Sequence, residues 1–202
     1  GADVILLGVI PTPAVAYLTK HYKADIGAVI SASHNPMEYN GIKFFNSKGF
    51  KLADEIELEI EKYLDDMSLL NEYPTHENIG KKMKVTNPEE AYIEFLKSCV
   101  STDFKGMKVV LDTANGAAYK IAPEVFAQLG AEVVCIGCEP TGTNINANCG
   151  STHTKDLEAM VVEHKADLGL AYDGDADRLI AIDEMGQIID GDKIMLICAN
   201  DM

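Results

Sequence analysis

The sequence predicts an α/β fold: two α/β domains with mixed, mainly parallel sheets flanked by helices. Three observations carry this reading. From Lys108 to Tyr172, short apolar runs alternate with amphipathic stretches of helical length, the pattern of right-handed crossovers joining parallel strands. A second, shorter set of such elements runs from Val4 to Asp65. Between the two sets, from about Met67 to Lys84, the chain has no clear period and carries Asn, Pro, Thr, His and Gly, so it reads as a linker.

Each element has its own signal. Val4 to Ile10 and Ile26 to Ile30 read as buried strands, and Ile42 to Phe45 as a short strand. Pro11 and Pro13 bracket the start of a helix reaching about Tyr22, with Thr12 as N-cap. Ser47-Lys48-Gly49 is a turn. Asp54 to Asp65 is a helix with Ile56, Ile60, Tyr63 and Leu64 on one face. Asn87 caps, and Pro88 opens, a helix to about Val100. Then follow a strand Lys108 to Asp112, a helix Gly116 to Leu129, a strand Glu132 to Gly137, a helix Thr154 to Lys165, and strands Asp167 to Tyr172 and Leu179 to Asp183. Met185-Gly186-Gln187 is a hairpin-like turn, and Asp192 caps a last helix.

Composition narrows the function classes. The chain has 202 residues, 47% hydrophobic, with a net charge of -15. This is globular and acidic, which argues against a general nucleic-acid or anionic-membrane surface. No apolar run is long enough to span a bilayer, and the start lacks a signal peptide. Five Cys without an export signal point to reduced thiols in the cytoplasm. Cys135, Cys138, Cys149 and His153 have a loose zinc-like spacing, but a single Cys-x-x-Cys is a weak signal. The chain begins without Met close to a strand and ends inside a helix-like stretch, so a piece of a longer enzyme is expected.

Two loops carry chemistry. Each follows an apolar strand, where open α/β sheets place ligands. In Ser31-Ala32-Ser33-His34-Asn35-Pro36, proline stiffens the loop and keeps Asn35 out of the helical region. In Asp173-Gly174-Asp175-Ala176-Asp177-Arg178, acidic and small residues alternate. On an extended backbone the three carboxylates point the same way, which is costly without a cation. Hard oxygen ligands suit Mg²⁺ or Ca²⁺. A calcium EF-hand does not fit, because Arg178 stands where its sixth position needs Gly. Three Asp fill only part of a six-oxygen shell, and a phosphate on Ser33 supplies a further oxygen. Arg178 then binds phosphoryl oxygens, and Lys43 moves a proton on an attacking hydroxyl or offsets charge. His34 is a second donor to the phosphate.

These residues resemble a known family, the α-D-phosphohexomutases. Ser31 to Pro36 looks like its active-site serine loop, Asn40-Gly41-Ile42-Lys43 like its catalytic-lysine segment, and Asp173 to Arg178 like its metal loop. With Asn144 to His153, they look most like bacterial members that act on glucosamine phosphates. The resemblance covers nearly the whole chain. It implies residues 1–84 as the C-terminal part of a first, incomplete domain plus linker, 85–187 as a second domain, and 188–202 as the start of a third. It implies an isomerase that interconverts glucosamine 6-phosphate and glucosamine 1-phosphate through a phosphoserine and a bisphosphorylated sugar. Mg²⁺ is then held by phosphorylated Ser33, Asp173, Asp175 and Asp177, while Ser33, His34, Lys43 and Arg178 are catalytic. The expected partner is a phosphorylated hexosamine, with neither nucleic acid nor membrane and with a homodimer open for the full-length enzyme. The fragment alone is expected to be inactive. Two other readings stay open beside a family member for another hexose: a Mg²⁺-dependent phosphatase with Asp173 as nucleophile, and a cation-binding module without catalysis.

Overall fold

Runs of Val, Leu and Ile between Lys108 and Ile182 build the best-buried part of the molecule, because a strand covered on both faces needs apolar residues at every position. In the computed structural model, which describes residues 1–69 and 73–201, the first elements are β1 (Val4–Leu6), α1 (Thr12–His21), β2 (Ile26–Ser31), β3 (Gly41–Asn46), α2 (Asp54–Asp65) and β4 (Lys82–Lys84). There follow α3 (Pro88–Ser98), β5 (Lys108–Asp112), α4 (Ile121–Gln128), β6 (Glu132–Ile136), α5 (Lys155–His164), β7 (Leu168–Tyr172), β8 (Leu179–Asp183), β9 (Ile188–Ile189) and α6 (Gly191–Asp201).

The later strands form one five-stranded sheet in the order β6-β5-β7-β8-β9. β6, β5 and β7 are parallel, while β8 and β9 return antiparallel. Side chains alternate across β5. Val109 and Leu111 pack with Ala122 and Phe126 of α4, whereas Val110 packs with Leu157 and Val161 of α5. Gly169 lets α5 approach, since a Cβ there would lie 2.6 Å from Val161 Cγ2.

Two smaller pairs complete the strands: β1 beside β4, parallel, and β2 beside β3, antiparallel. The fold is thus α/β with mixed sheets flanked by helices. α1 covers β2 and β3 through Val15, Leu18 and Phe45, and the same cluster takes in Tyr92 and Ile93 of α3 and Ile121 and Val125 of α4. One core therefore ties the two sets of elements together. Among the described residues, no helix is long and apolar enough to cross a membrane.

Several local expectations change. The strand expected over Val4 to Ile10 stops at Leu6, where pairing with Lys84 ends and Gly8 turns the chain at φ +78°. The expected linker contains short 3-10 turns at Met67–Leu69 and His76–Asn78, and then β4, whose three exposed residues give no apolar signal. Residues 70–72 of that stretch lie outside the described residues. α2 has its expected bounds, but none of its residues is buried. The helix expected from Gly116 begins only at Ile121, because Ala117 donates its N–H to Gly174 and Gly116 packs directly on that residue. Caps differ too. Asn87 sits at the predicted boundary in the left-handed region without a side-chain cap bond. Asp190, not Asp192, receives the Lys193 N–H at the start of α6.

Candidate active site

The serine loop is built on a strained residue. Ser33 has φ +54°, a left-handed backbone that non-glycine residues hold only when their surroundings enforce it. Three bonds enforce it here. The Ser33 N–H donates to Ser31 Oγ at 2.8 Å. The Ser33 carbonyl accepts from the Gly174 N–H at 3.1 Å and from Asn146 Nδ2 at 2.8 Å. Its hydroxyl is left to reach Asp173 Oδ2 at 3.2 Å, across 140 residues of sequence. The two loops singled out in the sequence therefore meet.

The acidic loop connects antiparallel β7 and β8 and is a tight turn rather than the extended run first expected. Ala176 takes φ +57°. Asp173 Oδ1 accepts the N–H groups of Asp177 and Arg178, both at 3.1 Å. Convergence of the carboxylates comes from this turn, not from strand alternation. One oxygen from each of Asp173, Asp175 and Asp177 lies within 4.8 Å of the others. Asp173 and Asp175 are buried and Asp177 is exposed.

Charge in the cluster is partly balanced by Lys43, which β3 delivers from the other half of the chain. Its Nζ donates to Asp175 Oδ2 at 2.7 Å and to Asp177 Oδ2 at 2.8 Å. Burial alone pulls the ammonium down, but the bonds and charges of these carboxylates outweigh it and hold Lys43 above its usual range. Burial pushes Asp175 up, and the Lys43 bond, a Thr12 bond and the Lys43 charge more than reverse this, leaving it below the usual carboxylate range. Asp173 goes the other way: burial and the neighbouring Asp175 charge raise it. The remaining oxygen of Asp175, Oδ1, is buried without a hydrogen-bond partner among the described residues. An orphaned carboxylate oxygen beside two more carboxylates is a donor set that fits a hard divalent cation.

The other sequence candidates are placed less centrally. The Arg178 guanidinium is exposed and only 3.9 Å from Asp177 Oδ1. His34 is half-buried, with Nδ1 lacking a partner among the described residues. The cysteine–histidine set does not converge among the described residues. Cys149 faces Asn115 Nδ2 at 3.6 Å, while His153 pairs with the Thr152 hydroxyl at 3.0 Å.

Sequence reasoning missed three contributors. Thr12, expected as a helix cap, instead donates its hydroxyl to Asp175 Oδ2 at 2.5 Å and its N–H to the Asp175 carbonyl at 2.9 Å. Asn146 reaches the serine loop from the far side. Gly116 packs beneath Gly174, where a Cβ would lie 2.3 Å from the Gly174 carbonyl oxygen. The only hint of Thr12 was its place between two prolines.

Comparison with known proteins places these features. The family profiles "Phosphoglucomutase/phosphomannomutase, alpha/beta/alpha domain I" and "domain II" match residues 1–70 and 90–186. Phosphoglucosamine mutase of Clostridioides difficile is 62% identical over 98% of this chain and 44% of that protein. The same-named protein of Clostridium acetobutylicum is 57% identical, with equal coverage. The chain thus spans less than half the length of these curated relatives. A crystal structure of a phosphoglucomutase/phosphomannomutase family protein from Burkholderia thailandensis superposes with a TM-score of 0.83 at 26% identity, covering 100% of this chain and 44% of that one. A more distant fold relative, 18% identical with a TM-score of 0.54, is N-acetylphosphoglucosamine mutase of Aspergillus fumigatus, solved with GlcNAc-6P and magnesium; it covers 88% of this chain and 48% of that one.

Proposed function

This chain belongs to the phosphoglucomutase/phosphomannomutase family, and from that premise we propose that it is the phosphoryl-transfer portion of a phosphoglucosamine mutase. Residues 1–84 supply the serine loop, 85–187 the acidic loop, and 188–202 lead into a third domain. The observation that carries this reading is the contact of Ser33 Oγ with Asp173 Oδ2, which brings a hydroxyl nucleophile onto an acidic cluster from a distant part of the chain.

In this reading Ser33 carries the phosphoryl group at rest. The group passes from Ser33 Oγ to a hydroxyl of a glucosamine monophosphate: the serine O–P bond breaks, a sugar O–P bond forms, and the proton lost by the sugar hydroxyl is balanced by the one that restores the Ser33 hydroxyl. After the bisphosphorylated sugar turns over, its other phosphoryl group returns to Ser33. The left-handed backbone at Ser33 fixes where Oγ points before reaction, so little reorganisation is needed at transfer. Lys43, held charged by its carboxylates, places positive charge beside the transferring group. Arg178, exposed at the rim, is free to swing onto phosphoryl oxygens, and His34 offers its ring as a further donor. Asp173, Asp175 and Asp177 would hold Mg²⁺ together with the phosphoserine. When bound, that ion neutralises charge on the phosphoryl oxygens.

The phosphatase alternative fares worse because it leaves without a role the Ser33 hydroxyl that reaches Asp173 Oδ2 at 3.2 Å. The test is mutase turnover by the full-length enzyme with Ser33→Ala, alongside phosphopeptide mass spectrometry of the unsubstituted protein. The expected result is phosphate on Ser33 and no turnover by a folded Ser33→Ala variant. Near-normal turnover by that variant overturns the mechanism.

A further inference from the structure

Asn146 lies in the long connection between β6 and α5, buried to 8% exposure. Its backbone is left-handed, at φ +57°, and its N–H is anchored on the Ala114 carbonyl at 2.9 Å. The side chain therefore projects from a fixed point just beyond β5. Its Nδ2 donates to two carbonyls at once, those of Ser33 and Asn35, each at 2.8 Å. A primary amide has two N–H donors, so each carbonyl takes one hydrogen.

We propose that Asn146 is a positioning residue for phosphoryl transfer, a two-pronged amide clamp that holds Ser33 in the left-handed conformation aiming its hydroxyl at Asp173. The proposal rests on the reading of Ser33 as the phosphoryl carrier. The two clamped carbonyls flank His34, so the clamp fixes the Ser33–Asn35 span from both ends. The Gly174 N–H also holds the Ser33 carbonyl, but among the described hydrogen bonds only Asn146 holds that of Asn35. Asn146 touches neither the carboxylate cluster nor Lys43 through any described hydrogen bond. Its effect on transfer passes through the backbone of the serine loop.

The clamp has a near-isosteric knock-out. Asn146→Asp keeps the size and the tolerance for a left-handed backbone but turns both donors into acceptors facing two carbonyls. In the full-length enzyme, Asn146→Asp is expected to lower kcat at least tenfold while KM for the sugar phosphate stays within twofold. Hydrogen exchange of residues 31–36 should quicken while that of β5 stays slow. A purely structural role would instead lower the folded fraction and leave kcat per folded molecule unchanged. If the aspartate variant does not fold by circular dichroism, Asn146→Gly, which keeps the backbone conformation and removes the amide, is measured against the same expectations. A kcat within twofold of the unsubstituted enzyme in either folded variant overturns the clamp. Ser33→Ala separates the two layers: if it abolishes turnover while the Asn146 variants retain it, only the clamp fails, and if it retains turnover, the phosphoserine reading fails.

Discussion

Replacing Lys43 with Met tests whether the carboxylate cluster is held together by charge. The aliphatic stem remains and the ammonium goes. Two charge-assisted bonds are lost, at 2.7 Å to buried Asp175 and at 2.8 Å to Asp177. Such bonds are each worth about 1.5–3 kcal/mol when well shielded. The Lys43 side chain is 34% exposed and that of Asp177 32%, so solvent screening discounts the pair to about 2 kcal/mol in total. For a chain of this size that is a fall in Tm of roughly 4–8 °C in chelator-containing buffer. Three carboxylates without their ammonium then repel one another, and a divalent cation has no ammonium to displace. Millimolar Mg²⁺ should therefore raise Tm more in Lys43→Met than in the unsubstituted chain. Thermal denaturation of both proteins in chelator and in Mg²⁺ reads the two effects. An unchanged Tm in chelator, or equal Mg²⁺ shifts, would refute the reasoning.

Asp175→Asn keeps the shape but removes a charge from the proposed cation shell, so titration calorimetry on the phosphorylated full-length enzyme should show Mg²⁺ affinity falling at least tenfold; unchanged affinity places the ion elsewhere. Gly116→Ala drives a Cβ to 2.3 Å from the Gly174 carbonyl oxygen, an overpacking cost of about 2–3 kcal/mol, and thermal melting should show Tm down by roughly 5–10 °C. Alkaline stability should fall through tyrosine: burial raises the Tyr92 hydroxyl from 10.0 to about 12. A raised folded value means this contribution is whole below pH 10 and lost as pH rises to 12, worth on the order of 2 kcal/mol. Urea unfolding across that window should show the loss, and Tyr92→Phe should reduce it, the remainder coming from Tyr172, whose hydroxyl burial also raises.

What the sequence made legible was what local pattern alone decides. β5 and β8 have their predicted bounds because their apolar runs are set off by polar residues and turns, and α2 because its period is strong. β4 was illegible: Lys82, Met83 and Lys84 are all exposed, and their strand exists only because β1, nearly 80 residues earlier, pairs with them. The start of α4 was misplaced for a related reason, since Ala117 gives its N–H to the Gly174 carbonyl and Gly116 packs against that residue. In the site, the serine and aspartate types were readable from the motifs. The ties to Thr12 and Asn146 were not, because nothing local marks a hydroxyl or amide whose partner lies more than 100 residues away.

The span between Ser33 and Asp173 also sets an order of events during synthesis. The serine loop leaves the ribosome 140 residues ahead of its partner, which at usual elongation rates is roughly 7–30 s. Throughout that interval the Gly174 N–H does not exist to hold Ser33 in its left-handed conformation, and the Asn146 amide arrives only 113 residues after Ser33. The nascent loop must therefore wait in a relaxed state and be drawn into its working geometry only after β7 has been made. Maturation of this site is timed by the later of its two loops to arrive rather than by the residue that would react.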